Sequence, residues 1–386
     1  MFILERLIGV GIYALLLLLV CLSLVGKSHK KIKRILFLYT VTLSILAFFY
    51  VPYETADLYR IYEYIDSFSK LSFSELCDTH LKNPNIGLIG VVYWGLGKLG
   101  IPQLLPVFVT FISFRCIFYI VNACAQENKI TGKNVALTVA FYMSLGTYMF
   151  TVGGSRCFLG IALFSFCFYR ENVEAKFNLL HVPLYVIAAM LHTFSAVLIA
   201  LRFLVSVLDF RTTALRKILY LLLLGGGTIV VVRYFGEYLA QIEEKAQGYL
   251  EGNIYSYIWG YVIDIFAVFG ILLILLECRK LPKIAIQKCK GWMLYLTFCL
   301  IVAVAFCYEY SIFTRTILHI SPIICLPLLM VTLQVSDDKK RMNISPILSF
   351  LDIRFTYKTV ICTLSLLLLL LSCARGDICS LKFFVL

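Results

Sequence analysis

Continuous apolar runs follow one another from the first ten residues to the last thirty, and the charges collect in the short stretches between them. Crossing the hydrocarbon core of a bilayer takes about 20 mostly apolar residues in a helix, so a chain built this way is expected to fold inside a membrane. Composition agrees: 61% of the 386 residues are apolar and 15% charged, against roughly 45–50% and about 25% in a soluble domain. That leaves too little polar surface to cover the chain in water. A soluble enzyme, a disordered protein and a disulfide-stapled secreted domain are excluded. A membrane β-barrel is excluded too, because the runs are continuous rather than alternating.

The runs predict an all-α, polytopic integral membrane protein, a single transmembrane domain over 1–386 with no soluble domain. About twelve spans are expected, near 7–25, 35–53, 103–124, 135–152, 157–170, 177–191, 193–210, 218–235, 260–277, 291–308, 316–334 and 358–374. The segment 86–100 is apolar but short, rich in glycine and bounded by Pro84 and Pro102. It reads as a re-entrant outer segment, which needs protein or a water-filled cavity over its backbone. Outer loops are expected at about 54–85 and 236–259. Cytoplasmic loops are expected at about 26–34, 125–134, 171–176, 211–217, 278–290 and 335–357.

In a soluble protein the net charge of +13 would point to nucleic acid. Here the positive-inside rule accounts for it, and no nucleic-acid partner is expected. The proposed inner loops and their flanks hold 22 of the 35 Lys/Arg and 8 of the 22 Asp/Glu. A rival layout, with 86–100 crossing fully and 179–205 as one helix, lowers the inner basic count only to 20, so charge alone does not separate the two. The first run is a span rather than a signal peptide, because the cluster Lys27–Arg34 follows it and no small-residue cleavage site appears. Most of the 14 cysteines lie inside apolar runs and read as small hydrophobes; only a Cys77–Cys379 disulfide is conceivable. There is no zinc spacing, P-loop, Asp-x-Asp or placed GxGxxG, and no cofactor is expected.

Charged and polar residues inside or at the edges of the runs are the candidates for chemistry. Arg156 follows Gly153-Gly154-Ser155, and Arg315 opens a helix after an aromatic turn; each either binds an anion or snorkels to the interface. His192, flanked by Thr193 and Ser195, is a site residue or a break between two helices. Arg115 sits mid-span, where charge is expensive, and Asp264 is either its partner or a site residue. His319 lies one turn past Arg315. Glu54, Asp57 and Tyr59 lie in an outer segment rich in tyrosine, and are acceptor-binding groups, solvated loop charges or part of an interfacial aromatic belt.

The stretches "SRCFLGIALF" at 155–164 and "MLHTFSAVLIAL" at 190–201, joined by a charged turn, resemble the bacterial polysaccharide polymerases of the Wzy type, and within them the EpsG-like family. "ETADLYRIYEYI" at 54–65, "NIGLIGVVYWGLGKLG" at 85–100 and "YSIFTRTILHISPIICLPLL" at 310–329 resemble that family's acidic-Tyr, re-entrant and late-Arg segments. Cys157, where relatives often carry Gln, and Asn85, where they carry an acid, depart from the pattern. The resemblance implies a metal-independent glycosyltransferase in the bacterial inner membrane. It would join undecaprenyl-diphosphate-linked oligosaccharide units into O-antigen, capsule or exopolysaccharide at the outer face. A chain-length regulator and a flippase of the same pathway are the implied partners. Arg156, Arg315 and His192 would be catalytic; Asp57, Glu54, Tyr59, Arg115, Asp264 and His319 would bind substrate. The chemistry is consistent: the leaving diphosphate gathers negative charge, which guanidinium forks meet bidentately, and histidine suits a base near neutral pH. A flippase for lipid-linked glycans and another lipid-linked glycan transferase, such as an O-antigen ligase, are the competing readings.

Overall fold

A computed structural model describes residues 2–52, 57–79, 87–174, 178–208, 217–218, 221–222, 254–281, 283–307, 310–338 and 356–375. The expected span at 218–235, the loop 236–259, most of the loop 335–357, and Glu54, Asn85 and Cys379 lie largely or wholly outside them. The described residues are helical and form no strand. The helices are α1 (Phe2–Leu24), α2 (His29–Phe48), α3 (Asp57–Ser69), α4 (Phe73–Thr79), α5 (Gly87–Leu99), α6 (Leu104–Glu127), α7 (Gly132–Ser144), α8 (Thr147–Gly153), α9 (Ser155–Asn172), α10 (His181–Leu191), α11 (Thr193–Leu208), α12 (Ile254–Cys278), α13 (Lys283–Ala305), α14 (Tyr310–Thr314), α15 (Ser321–Asp338) and α16 (Tyr357–Arg375). A π-helical turn, Arg315–Ile320, joins α14 to α15.

Among the described residues, three stretches are long and apolar enough to cross a membrane by themselves: Leu104–Glu127, Gly260–Cys278 and Ile312–Ser336. A bent pair, α7 with α8, makes a fourth if counted as one span, and six further apolar helices of 10–17 residues accompany them. The described residues thus form an apolar, all-helical protein with helices of membrane-spanning length and composition. Ile312–Ser336 is its central helix, with 94% of its most apolar window enclosed, against 44% for Gly260–Cys278.

The packing defines two ends. The start of α7 meets the end of α1, where a Cβ on Gly132 would fall 2.1 Å from the Leu24 carbonyl oxygen. The Thr131 N–H donates to Gln334 Oε1 near the end of α15 (3.0 Å). One end, the basic end, therefore gathers the α1–α2 and α6–α7 turns and the close of α15. The opposite end gathers the α8–α9 junction and the start of the π-helical turn.

The run at 135–152, expected as one helix, is broken. α7 and α8 meet at 52° around Gly146, whose φ is +73°, a value that glycine adopts without a Cβ clash. A break inside a membrane protein frees carbonyls that need partners. Tyr13 donates to the Met143 carbonyl (2.7 Å), Thr147 to that of Tyr142 (3.2 Å) and Ser372 to that of Ser144 (3.1 Å). Helices α1 and α16 thus close the break from outside.

At the end opposite the basic one, α3, α4 and α5 form a helical cap. α3 buries Leu58, Ile61, Ile65 and Phe68 on one stripe, the spacing of an amphipathic helix. Gly97 lets α5 approach so closely that a Cβ there would lie 2.5 Å from the Ile65 carbonyl oxygen. α4 begins with a reciprocal cap: the Ser72 N–H donates to Glu75 Oε2 (2.8 Å) and the Glu75 N–H to Ser72 Oγ (3.3 Å). At 13 residues, α5 is about 20 Å long, too short to cross alone. It packs on α3 and reaches α10.

Candidate functional site

The centre of the site is a helical hairpin of less than full membrane depth. α10 has 11 residues, about 17 Å, and α11 turns back beside it. His192 is the non-helical residue at the tip, with extended φ, ψ of −160° and 135°. The hairpin lies against α9, where glycine is required: a Cβ on Gly160 would fall 2.3 Å from Ser195 Oγ and 3.0 Å from the Ala188 carbonyl oxygen. Small residues at such crossings are how helices approach closely without a solvent-driven force.

The base of the hairpin is tied at the basic end. Glu171 accepts from Tyr185 Oη (3.1 Å), lies 3.2 Å from His181 Nδ1 and forms an ion pair with Arg202 Nη2. The Glu171 and Arg202 side chains are nearly enclosed, at 6% and 11% exposure. Glu171 falls in the segment expected as an inner loop, and its pairing with Arg202 joins α9 to α11.

At the tip, three predicted residues come together. His192 lies within electrostatic reach of both Arg315 and Arg156. Those two guanidinium groups and the Asp57 carboxylate all act on Cys157, and Arg156 and Asp57 both act on Tyr93 of the cap. Arg156 opens α9, Arg315 opens the π-helical turn, His192 turns the hairpin and Asp57 opens α3. Four separate parts of the chain thus supply one neighbourhood. Gly153, just before Arg156, faces open space, since nothing lies within 4 Å of a Cβ built there.

The ring of His192 has a defined orientation. Its Nδ1 accepts the backbone N–H of Phe194 (3.1 Å), so the neutral ring carries its proton on Nε2. Burial, and then the positive charges of Arg315 and Arg156, hold this imidazole well below the ordinary histidine range. The neutral ring presents an N–H at Nε2.

The other predicted residues divide. Asp264 is fully buried, and its Oδ2 accepts from Thr314 Oγ1 (2.7 Å), the residue before Arg315. It therefore supports the turn that aims Arg315. It is not brought to Arg115, which stacks 5.3 Å over the ring of Phe37 in a cleft shared with Lys30, Lys33 and Arg34. The structure thus places Arg115, midway along α6, beside the cations of α2. His319 is packed between the rings of Phe150 (4.6 Å) and Phe158 (5.9 Å), against the α8–α9 junction. Tyr59 is half-buried on α3, two residues past Asp57. Asp57 also forms an exposed ion pair with Arg60. The π-helical turn escaped sequence reading, although such turns often mark functional sites. No family model, curated protein or solved structure matches this chain.

Proposed function

We propose that the chain polymerises undecaprenyl-diphosphate-linked oligosaccharide repeat units into a surface polysaccharide, as a membrane glycosyltransferase of about twelve spans. On this reading its site opens at the outer face of a bacterial inner membrane. The observation that carries it is the convergence of Arg156 and Arg315 on His192 from three separate parts of the chain. Two guanidinium groups beside an N–H donor suit one ligand class above others, a diphosphate.

In the proposed step the bond between the anomeric carbon of the growing chain and the diphosphate oxygen breaks, and its electron pair stays on the diphosphate. Arg156 and Arg315 hold the developing charge, and His192 donates from Nε2 to a phosphate oxygen. The acceptor hydroxyl forms the new bond to the anomeric carbon, and its proton passes to a carboxylate. Asp57 is the described carboxylate of this neighbourhood, and it replaces His192 as the candidate base.

The test is polymer formation by purified protein in liposomes supplied with a lipid-linked repeat unit. Ladders of polymer that require Arg156 and Arg315 are expected. Transport of the lipid-linked unit between leaflets without polymer would replace this reading with a flippase. Transfer of finished polymer to another lipid acceptor would replace it with a ligase.

A further inference from the structure

We infer a second site, for the head group of an anionic phospholipid, in the cleft between α2 and α6 at the basic end. This inference does not rest on the proposed polymerase activity. Lys30, Lys33 and Arg34 of α2 and Arg115 of α6 line one cleft of about 490 Å³ together with Phe37 and Leu38. Among the described residues no carboxylate forms an ion pair with any of the four cations. Lys30, Lys33 and Arg34 are exposed and Arg115 is half-buried, so the four gather positive charge where an anion can reach it. An anion bound among them would be held by that charge.

The apolar part of the cleft indicates that the anion carries acyl chains. Phe37 is 42% exposed and Leu38 62%; farther from the cations on the same helices, Ile45 is 55%, Ile112 38% and Phe108 53% exposed. Phe37 also meets Phe111 edge to face at 6.4 Å. On α2 the series runs from 37 to 45, and on α6 from 112 to 108, so both rows lead away from the basic end. A phospholipid has the same polarity: a charged head, then hydrocarbon directed toward the bilayer centre. Arg115 stacked over Phe37 joins the two parts, since its stem lies along apolar surface while its guanidinium faces the head group. Basic pockets between spanning helices are a recurrent form of anionic-lipid recognition.

The experiment uses full-length protein in detergent and measures retained lipid by native mass spectrometry and thermal unfolding on titration. The probes are phosphatidylglycerol, phosphatidylcholine and inorganic phosphate. Phosphatidylglycerol should be retained and raise the unfolding midpoint, whereas phosphatidylcholine and inorganic phosphate should do neither. Arg115→Gln and the double variant Lys33→Gln/Arg34→Gln should each weaken phosphatidylglycerol binding about tenfold or more. The double variant lies at the helix surface and decides the matter if Arg115→Gln fails to fold. Phosphatidylglycerol binding unchanged in the folded variants would overturn the site. So would equal retention of phosphatidylcholine, and a midpoint shift produced equally by inorganic phosphate would overturn its assignment to a lipid.

Discussion

The backbone N–H of Phe194 donates to Nδ1 of His192 at 3.1 Å, and this bond determines what the imidazole can offer a substrate. With Nδ1 accepting, the neutral ring presents a proton on Nε2 rather than a lone pair. Burial, and then the positive charges of Arg315 and Arg156 within electrostatic reach, disfavour the imidazolium form. Lowering a histidine's pKa keeps it neutral as pH falls, so no step from this residue is expected near its free value of about 6.5. Polymerisation by the wild-type protein should show no ionisation in that region between pH 5.5 and 8.5. His192→Gln, which keeps an N–H donor, should retain activity within about tenfold, whereas His192→Leu should lose far more. A rate that rises through pH 6.5 in the wild type, together with an inactive Gln variant, would restore His192 as the base.

Arg156→Lys and Arg315→Lys test whether charge alone is sufficient. Lysine keeps the charge but not the planar fork that grips two phosphate oxygens. If each guanidinium stabilises developing charge on a diphosphate, each substitution should lower the rate about a hundredfold, on the order of 3 kcal/mol. Expression and insertion should be unaffected, as both side chains are partly exposed rather than core. Near-normal polymer from either variant would remove that arginine from the clamp.

The parts of this site that sequence made legible are those where a polar residue interrupts an apolar run. His192 between two such runs, Arg156 after two glycines and Arg315 at the head of another run all stood out, and all three lie in one neighbourhood. Other features depend on side-chain direction or three-dimensional partners. Arg115 looked mid-span by position, yet its stem carries the charge to the cations of α2. Glu171 reads from sequence only as part of a charged turn, because its partners Tyr185 and Arg202 come from two later helices. The bend at Gly146 was hidden in a continuous apolar run, since the groups that satisfy it come from Tyr13 and Ser372. The π-helical turn at Arg315–Ile320 has no compositional signature at all.

Removing the partner of a buried charge should be costly at the hairpin base. Glu171→Gln removes the carboxylate paired with the enclosed Arg202, and breaking such a pair costs about 3–5 kcal/mol. Thermal unfolding in detergent should show a clear drop for Glu171→Gln and for Arg202→Gln. The double variant should be less destabilised than the sum of the two, by roughly 0.5–3 kcal/mol of coupling. Strict additivity would mean the two side chains do not act as a pair.

Docking of the hairpin on α9 should depend on Gly160. A Cβ there falls 2.3 Å from Ser195 Oγ, 3.0 Å from the Ala188 carbonyl oxygen and 3.2 Å from Ser195 Cβ, so Gly160→Ala should turn the Ser195 hydroxyl aside and ease the start of α11 and the end of α10 outward. Overpacking of this kind costs about 1–3 kcal/mol. It should also carry His192 out of reach of Arg156 and Arg315, lowering activity more than stability alone explains. Ser195→Gly removes two of the three atoms nearest the new methyl group. The double variant Gly160→Ala/Ser195→Gly should therefore recover most of the lost activity and unfolding midpoint, limited by the remaining 3.0 Å approach to the Ala188 carbonyl. Unfolding midpoints and polymer yields for the two single variants and the double decide it. A Gly160→Ala protein as stable and active as the wild type would show that α9 and the hairpin do not approach this closely.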